Sequence, residues 1–307
     1  MKQQTWKRIG HIFNVDGSIP WAQSHAAVPF VTDADEHGFS ILFSTRDKSN
    51  RSHVGRVRLD KDFQVLSVDE DPILSPGALG RFDEDGTTAS YEVRVGELRY
   101  LYYAGWNRGV STPFRNALGL AVSRDGGNTY ERLSDGPILD RSVVDPCFVA
   151  GACVVQLNDG FRMWYISCVN WKNVGGKPRH WYHLKYATSI DGVNWARSGK
   201  VAIDFKSDYE YAISQPWVIH EDGQFKMWFS YRGQPSVDSY RIGYAESNDG
   251  ETWRRNDAAI SFDVSESGWD SEMICYPFVF VLGDRKLMLY NGNNYGETGF
   301  GLAELVS

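Results

Sequence analysis

Phe225-Lys-Met-Trp-Phe-Ser230 is the stretch that decides the fold, because close relatives of it recur along the chain. They are Phe39-Ser-Ile-Leu-Phe-Ser44, Arg99-Tyr-Leu-Tyr-Tyr-Ala104, Phe161-Arg-Met-Trp-Tyr-Ile166 and Lys286-Leu-Met-Leu-Tyr-Asn291. Each is a short aromatic and aliphatic run that reads as a strand. A second motif follows each copy: Gly55-Arg-Val-Arg58, Gly119-Leu-Ala-Val-Ser123, Lys185-Tyr-Ala-Thr-Ser189, Gly243-Tyr-Ala-Glu-Ser247 and Gly301-Leu-Ala-Glu304. Its alternation of small and larger residues fits a strand packed closely between neighbouring sheets. In three repeats an Asp-Gly turn comes next, at Asp125-Gly126, Asp191-Gly192 and Asp249-Gly250, and Asp-Gly between strands is a hairpin signal. An apolar run precedes each copy: His25–Val31, Thr88–Val95, Gly151–Leu157, Ser214–His220 and Cys275–Leu282.

The unit is therefore four antiparallel strands with a period of roughly 60 residues. Such units repeated around an axis make a β-propeller. Five copies predict an all-β, five-bladed propeller with four strands per blade, a single domain over residues 1–307. The last repeat lacks a fourth strand. Thr5-Trp6-Lys7-Arg8 matches Thr252-Trp253-Arg254-Arg255, so residues Trp6 to Phe13 are expected to complete it and cover the open edge.

Composition narrows the function classes. Hydrophobic residues at 42% and charged residues at 23% are those of an ordinary globular chain. A net charge of -7 without a basic tail argues against nucleic-acid partners. The opening MKQQTWKRIGHIF has no secretory h-region, and no apolar run is long enough for a bilayer, so a cytoplasmic protein with no membrane partner is expected. Cys147, Cys153, Cys168 and Cys275 show no metal or redox spacing and read as free thiols of a reducing compartment. No phosphate-binding glycine loop, dinucleotide fingerprint or metal-ligand cluster is present, so no cofactor is expected. Aromatic residues reach 14%, enough to supply both inter-sheet packing and sugar-stacking surfaces.

Strand order assigns the longer loops to one face: Thr45–His53, Trp106–Asn116, Cys168–His183, Arg232–Tyr240 and Gly292–Thr298. Long loops on a rigid scaffold usually hold function. These carry Arg46, Lys48, Arg51, Arg108, Arg115, Lys172, Lys177, Arg179 and Arg232 against only Asp47, Asp238 and Glu297. A cationic mouth on an acidic protein points to an anionic ligand, although solvated loops carry Lys and Arg for other reasons too. Expected ligand contacts are His25, Trp106, Arg115, Trp171, Arg179, Gln215, Arg232 and Asn293.

Aligned on the repeat, Asp83, Asp145 and Asp270 share one position, and Asp85 and Glu272 share another two residues on. All lie where an innermost strand begins. Glycoside hydrolysis needs two carboxyl groups across one cavity, which makes Asp85, Asp145 and Glu272 the candidate catalytic acids. The alternative is that these acids cap turns between blades.

The Ser-x-Asp-Gly turns and Met-Trp-Tyr strands resemble the arabinanase/levansucrase/invertase superfamily, which contains glycoside hydrolase families 43, 32 and 68. Tyr103-Ala-Gly-Trp-Asn107, Gly268-Trp-Asp-Ser-Glu-Met-Ile-Cys-Tyr-Pro277 and Tyr290-Asn-Gly-Asn-Asn-Tyr-Gly296 resemble a branch associated with bacterial surface-polysaccharide gene clusters. The resemblance implies a carbohydrate-active protein, a glycosidase or transglycosidase. It also implies an Asp, an Asp and a Glu on the innermost strands of blades one to three. This chain departs from that: Ser24-His-Ala-Ala-Val-Pro29 and Val149-Ala-Gly-Ala-Cys153 contain no acid. A non-hydrolytic enzyme on a nucleotide-linked or phosphorylated sugar, and a sugar-binding propeller without catalysis, therefore stand beside the hydrolase reading.

Overall fold

The repeated aromatic segments become the second strand of each antiparallel group. The computed structural model describes residues 2–235 and 237–307. In chain order the first strand is β1 (Gln4–Phe13). It is followed by β2 (Ser24–Asp35), β3 (Gly38–Arg46), β4 (Ser52–Asp60) and β5 (Val65–Val68), which pair successively and antiparallel. β6 (Gly86–Val95), β7 (Leu98–Arg108), β8 (Phe114–Ser123) and β9 (Glu131–Arg132) repeat the arrangement. So do β10 (Phe148–Leu157), β11 (Gly160–Val174), β12 (Lys177–Ser189) and β13 (Val201–Ile203). β14 (Ala212–Glu221), β15 (Gln224–Arg232), β16 (Arg241–Ser247) and β17 (Arg254–Arg255) follow.

The last group is β18 (Ile260–Ser261), β19 (Cys275–Leu282), β20 (Arg285–Asn291) and β21 (Phe300–Leu305), and here β1 returns. Trp6 pairs with Leu305 and Phe13 with Phe300, antiparallel, while β18 runs parallel along the outer edge of β1. The expected closure by Trp6 to Phe13 is thus observed. Single parallel pairs, Ser52 with Gly86 and Tyr182 with Ala212, join neighbouring groups, so the strands fall into sheets of 8, 8 and 5. The first strands touch in a cycle: β2 meets β6, β6 meets β10, β10 meets β14, β14 meets β19, and β19 meets β2. Each contains the apolar run quoted above.

Aromatic residues fasten one group to the next. The fourth residue of the repeated segment is Tyr102, Trp164 or Trp228 in three groups, each fully or almost fully buried. Tyr102 OH donates to Gly192 O at 2.8 Å, Trp164 Nε1 to Gly250 O at 2.8 Å, and Trp228 Nε1 to Gln4 Oε1 at 3.1 Å. In each case the acceptor lies in the following group, so one side chain supplies apolar area, worth about 1.5–3 kcal/mol when fully buried, and satisfies its own polar edge. The Asp-Gly turns are equally regular. Ser123, Ser189 and Ser247 donate to Asp125, Asp191 and Asp249 at 2.8–2.9 Å and accept the glycine N–H groups of residues 127, 192 and 250. These turns are structural, as their sequence indicates.

The expected loop Cys168–His183 is not a loop. β11 and β12 continue through it as a hairpin, with Asn170 opposite Trp181 and Val174 opposite Lys177 around Gly175-Gly176. Adjacent glycines at φ 58° and 80° allow so tight a turn. No helix among the described residues is long and apolar enough to cross a membrane.

Candidate functional site

The site begins with irregular backbone in the innermost strands. β2, β6, β10, β14 and β19 all break register, and four of them carry left-handed residues there. These are His25 (φ 68°) and Val28 (φ 53°), Gly151 (φ 37°), Gln215 (φ 49°) and Tyr276 (φ 55°). A β-branched residue at positive φ is strained, and Val28 is held by its surroundings. Its N–H donates to Asn291 Oδ1 at 2.7 Å, while Asn291 Nδ2 donates to Ala26 O at 2.7 Å. Asn291 is the sixth residue of its repeated segment. At the same place Ser44 accepts Ala89 N–H at 3.1 Å, and Ser230 accepts Tyr276 N–H at 2.8 Å. The repeat thus supplies a polar side chain that grips the bulge of the next group. Bulges re-aim side chains, here toward the axis.

All five groups contribute to one axial cavity of about 650 Å³, and a smaller lobe of about 180 Å³ shares Val28, Thr88, Trp106, Phe114, His180 and Tyr182 with it. Its walls carry His25, Arg46, Trp106, Arg108, Phe114, Asn116, His180, Tyr182, Arg232, Tyr240, Tyr276 and Tyr295, and among the described residues no carboxylate lines it. Trp106 is fixed by donating Nε1–H to Ser52 Oγ at 2.7 Å. Gly86 makes room for this bond, since a Cβ there would lie 2.5 Å from Trp106 Nε1. A groove of about 620 Å³ at the outer edge, around Trp228, Tyr244 and Lys286, draws on fewer groups.

Arg232 sits among rings. Its guanidinium lies 4.7 Å from the Tyr240 ring centroid, 5.0 Å from Tyr211 and 5.6 Å from Tyr295. Nη1 donates to Tyr295 OH at 2.5 Å and Nη2 meets His180 Nε2 at 3.2 Å, while buried Nε has no partner. Burial, reinforced by Arg232 and Arg179, pushes the His180 pKa down to about 3, so His180 is neutral and offers a lone pair. Tyr182 and Tyr240 share a hydroxyl–hydroxyl hydrogen bond, and burial raises both pKa values, keeping both protonated. His25 is pushed down to about 4 by burial and then by Arg46. It too is neutral near pH 7.

The expected convergence of Asp85, Asp145 and Glu272 on one cavity is corrected by their contacts. Asp145 is fully buried. It accepts Tyr165 OH at 3.2 Å, Ser167 Oγ at 2.7 Å and Arg197 Nη1 at 2.8 Å. Asp83 has the same partners in kind, Tyr103 at 3.2 Å and Arg132 at 2.7 Å, and Asp270 has Tyr290 at 2.9 Å and Arg8 at 2.7 Å. These are inter-strand clips, each spent on its own tyrosine and arginine. In the fourth group Glu210 and Arg255 pair at 2.7 Å, with Phe229 in the tyrosine's place. Asp85 accepts Arg108 N–H at 2.8 Å and pairs with the Arg108 guanidinium at 3.5 Å, just behind the wall. Glu272 is exposed; its backbone carbonyl, not its carboxylate, takes the bonds from Ser239 and Arg241.

Of the expected ligand contacts, His25, Trp106 and Arg232 line the main cavity and Gln215 the smaller lobe. Trp171 lies behind the wall, against Phe114 and His180 at 5.5 and 5.3 Å. Arg115 is exposed between two wall residues, so strand alternation carries it off the wall. Arg179 packs on Tyr211 at 4.8 Å and pairs with Asp238 at 3.6 Å. Asn293 is a buried brace: Oδ1 accepts Glu272 and Met273 N–H at 2.8 and 3.0 Å. Sequence reasoning missed His180, Tyr182, Tyr240, Tyr276, Tyr295 and Phe114. Tyr276, in the first strand of its group, was within reach through its place in the repeat; His180 and Tyr182 lie inside β12, in the stretch expected to be a loop, and Phe114, Tyr240 and Tyr295 stand at a strand end or in loops where no periodicity marks them.

No family model matches the chain. The uncharacterized protein Rv1502 of Mycobacterium tuberculosis is 40% identical over 302 residues, covering 98% of this chain and 99% of that protein. A glycosyl hydrolase from Bacteroides ovatus superposes with a TM-score of 0.75 at 13% identity, over 98% of this chain and 93% of that one. A thermostable family-43 glycoside hydrolase does so with a TM-score of 0.66 at 15% identity, over 93% and 90%. At such identities the likeness to both hydrolases is one of fold.

Proposed function

The chain belongs to the same family as the mycobacterial protein Rv1502 and shares the fold of the arabinanase/levansucrase/invertase superfamily, and on that premise we propose a single-domain, five-bladed propeller that binds an anionic sugar in its axial cavity. The carrying observation is the make-up of the wall: aromatic faces and three arginines, Arg46, Arg108 and Arg232, without a carboxylate. Rings such as Trp106 and Phe114 offer sugar-sized apolar surfaces. The arginines offer charge-assisted donors for a carboxylate or phosphate. Cleavage by a facing carboxylate pair requires acids about 5–10 Å apart across the ligand, and the wall supplies none. This favours binding, or chemistry on a sugar that does not use such a pair. The free thiols fit a cytoplasmic site of action.

Calorimetric titration with neutral monosaccharides, uronic acids, sugar phosphates and nucleotide sugars tests the reading. Saturable binding by at least one anionic class is expected, with loss in Trp106→Ala. Absence of saturable binding by every class would overturn it. A second reading, glycosyl hydrolysis or transfer, rests on Asp85, whose partner Arg108 lines the cavity. Turnover of aryl glycosides or glycosyl phosphates that disappears in Asp85→Asn would favour it.

A further inference from the structure

Arg232 is a cation without an anion. Among the described residues no carboxylate lies within ion-pair distance of it. The nearest acid of its loop, Asp238, is occupied by Tyr211 OH and Arg179. The groups that touch the guanidinium are neutral: His180 accepts as a free base, and the neighbouring tyrosines face it with ring and hydroxyl. Ring faces attract a cation but do not neutralise it. A charge taken partly out of water is costly unless an opposite charge completes the pair. One N–H, at Nε, is buried with no acceptor at all. Buried donors are otherwise almost always satisfied, so this one marks a place where a partner is missing.

Among the described residues, the hydroxyl that Nη1 meets belongs to Tyr295. Tyr295 stands in a strained segment: Asn294 and Tyr295 are consecutive left-handed residues, at φ 52° and 62°. Tyr295 is also more than a third exposed, at 37%. A partly exposed side chain on strained backbone is a poor permanent partner for a half-buried cation.

We propose that Arg232 is the anchor for the anionic group of the sugar, and that an oxygen of that group takes the place now held by the Tyr295 hydroxyl. The group is a carboxylate or a phosphate; Nη1 receives its oxygen, and His180 holds Nη2. This deepens the proposed sugar site and rests on it for the sugar, but not for the anion.

The test is calorimetric titration of the full chain with D-glucuronate, glucose 1-phosphate, glucose and inorganic phosphate, on the wild type and on Arg232→Lys, Arg232→Gln and Tyr295→Phe. Thermal unfolding of each variant accompanies it. The expected result is at least about a tenfold loss of glucuronate or glucose 1-phosphate affinity in Arg232→Gln. Arg232→Lys should retain part of it, because an ammonium keeps the charge and loses the planar guanidinium. Tyr295→Phe should bind the anion as well as the wild type or more tightly. Which of the two anionic sugars responds tells carboxylate from phosphate. Equal binding of glucose and the anionic sugars, with folded Arg232→Gln unaffected, would overturn the anchor and leave the sugar site standing. Phosphate binding that depends on Arg232, without any sugar binding, would leave the anchor and remove the sugar reading. If neither phosphate nor any sugar binds the wild type, both fall. A loss in Tyr295→Phe as large as in Arg232→Gln would overturn the exchange.

Discussion

Two sets of charged groups lie within the same propeller, and they are treated in opposite ways. At the inter-strand clips, Asp83, Asp145 and Asp270 are each buried against a tyrosine and an arginine of the same group. At the axial cavity, half-buried Arg232 sits among rings, with no acid within ion-pair distance among the described residues. Each clip carboxylate already has its arginine without any ligand, so removing either member should harm the fold. The cavity charge is incomplete, so removing it should harm binding and spare the fold. Position near the axis does not by itself make an acid catalytic; what decides is whether its bonding capacity is already used.

The largest expected effect comes from deleting residues 1–13. This removes β1, and with it the Arg8 partner of Asp270 and the cover over the β21 edge. Size-exclusion chromatography with light scattering should show loss of the soluble monomer. A truncated monomer with an unchanged melting temperature would break the account of closure. Next comes Asp145→Ala. It leaves Arg197 and Lys185 facing an empty buried site, and breaking a buried pair typically destabilises by about 3–5 kcal/mol. Chemical unfolding should show Asp145→Asn to be milder, since it keeps the shape and the acceptor oxygen. A catalytic rather than structural Asp145 would show the reverse pattern, with stability intact.

Histidine protonation sharpens the comparison further. The His180 pKa is about 3 in the folded chain against 6.5 for the free group. The folded state therefore refuses a proton that the unfolded state takes up. The stability contributed by neutral His180 is fully present above pH 6.5 and is lost as pH falls toward 3. Turn carboxylates act lower: Asp249 is held down to about 2 by backbone N–H groups of Thr252 and Glu251, so its contribution fades only below its usual range. Unfolding measured between pH 4.5 and 6.5 should show His180→Gln losing up to about 1.4 kcal/mol of stability per pH unit from the wild-type slope. An unchanged slope would mean His180 is not the titrating group. The smallest effect belongs to Glu272→Gln. An exposed side chain away from caps and networks should shift stability by no more than about 0.5 kcal/mol, and sugar binding should not change.

The strands and turns were legible because their physics is local. Phe225-Lys-Met-Trp-Phe-Ser230 and its relatives carry burial in their own composition, and Asp-Gly turns carry their φ requirement in theirs. The equivalence of Asp83, Asp145 and Asp270 was legible too, but not its meaning. Their partners lie in other strands, and only the pairing brings Arg8 to Asp270 across most of the chain. One signal was available: Asp83 to Tyr103, Asp145 to Tyr165 and Asp270 to Tyr290 are all 20 residues apart. The cavity wall was legible only where a residue stood in the repeat or in a basic loop, as His25 and Arg232 do. Tyr240 and Tyr295 owe their place to loop paths that no residue pattern encodes.

The pairing of β1 with β21 also bears on how the molecule is made. Val306 N–H donates to Thr5 O at 2.9 Å, and Thr5 N–H to Ser307 O at 2.8 Å. These are among the most distant contacts in sequence that the chain can form. During synthesis the first strand emerges long before its partner exists, and Trp6 and Phe13, which belong to two different core clusters, have nowhere to dock. Each middle group can assemble from neighbouring hairpins, whereas this one must wait for the last strand. Ring closure is thus a late event with a high loop-closure cost. Until it happens, the nascent chain presents an unpaired strand and an open sheet edge, the state most exposed to aggregation and most in need of a chaperone.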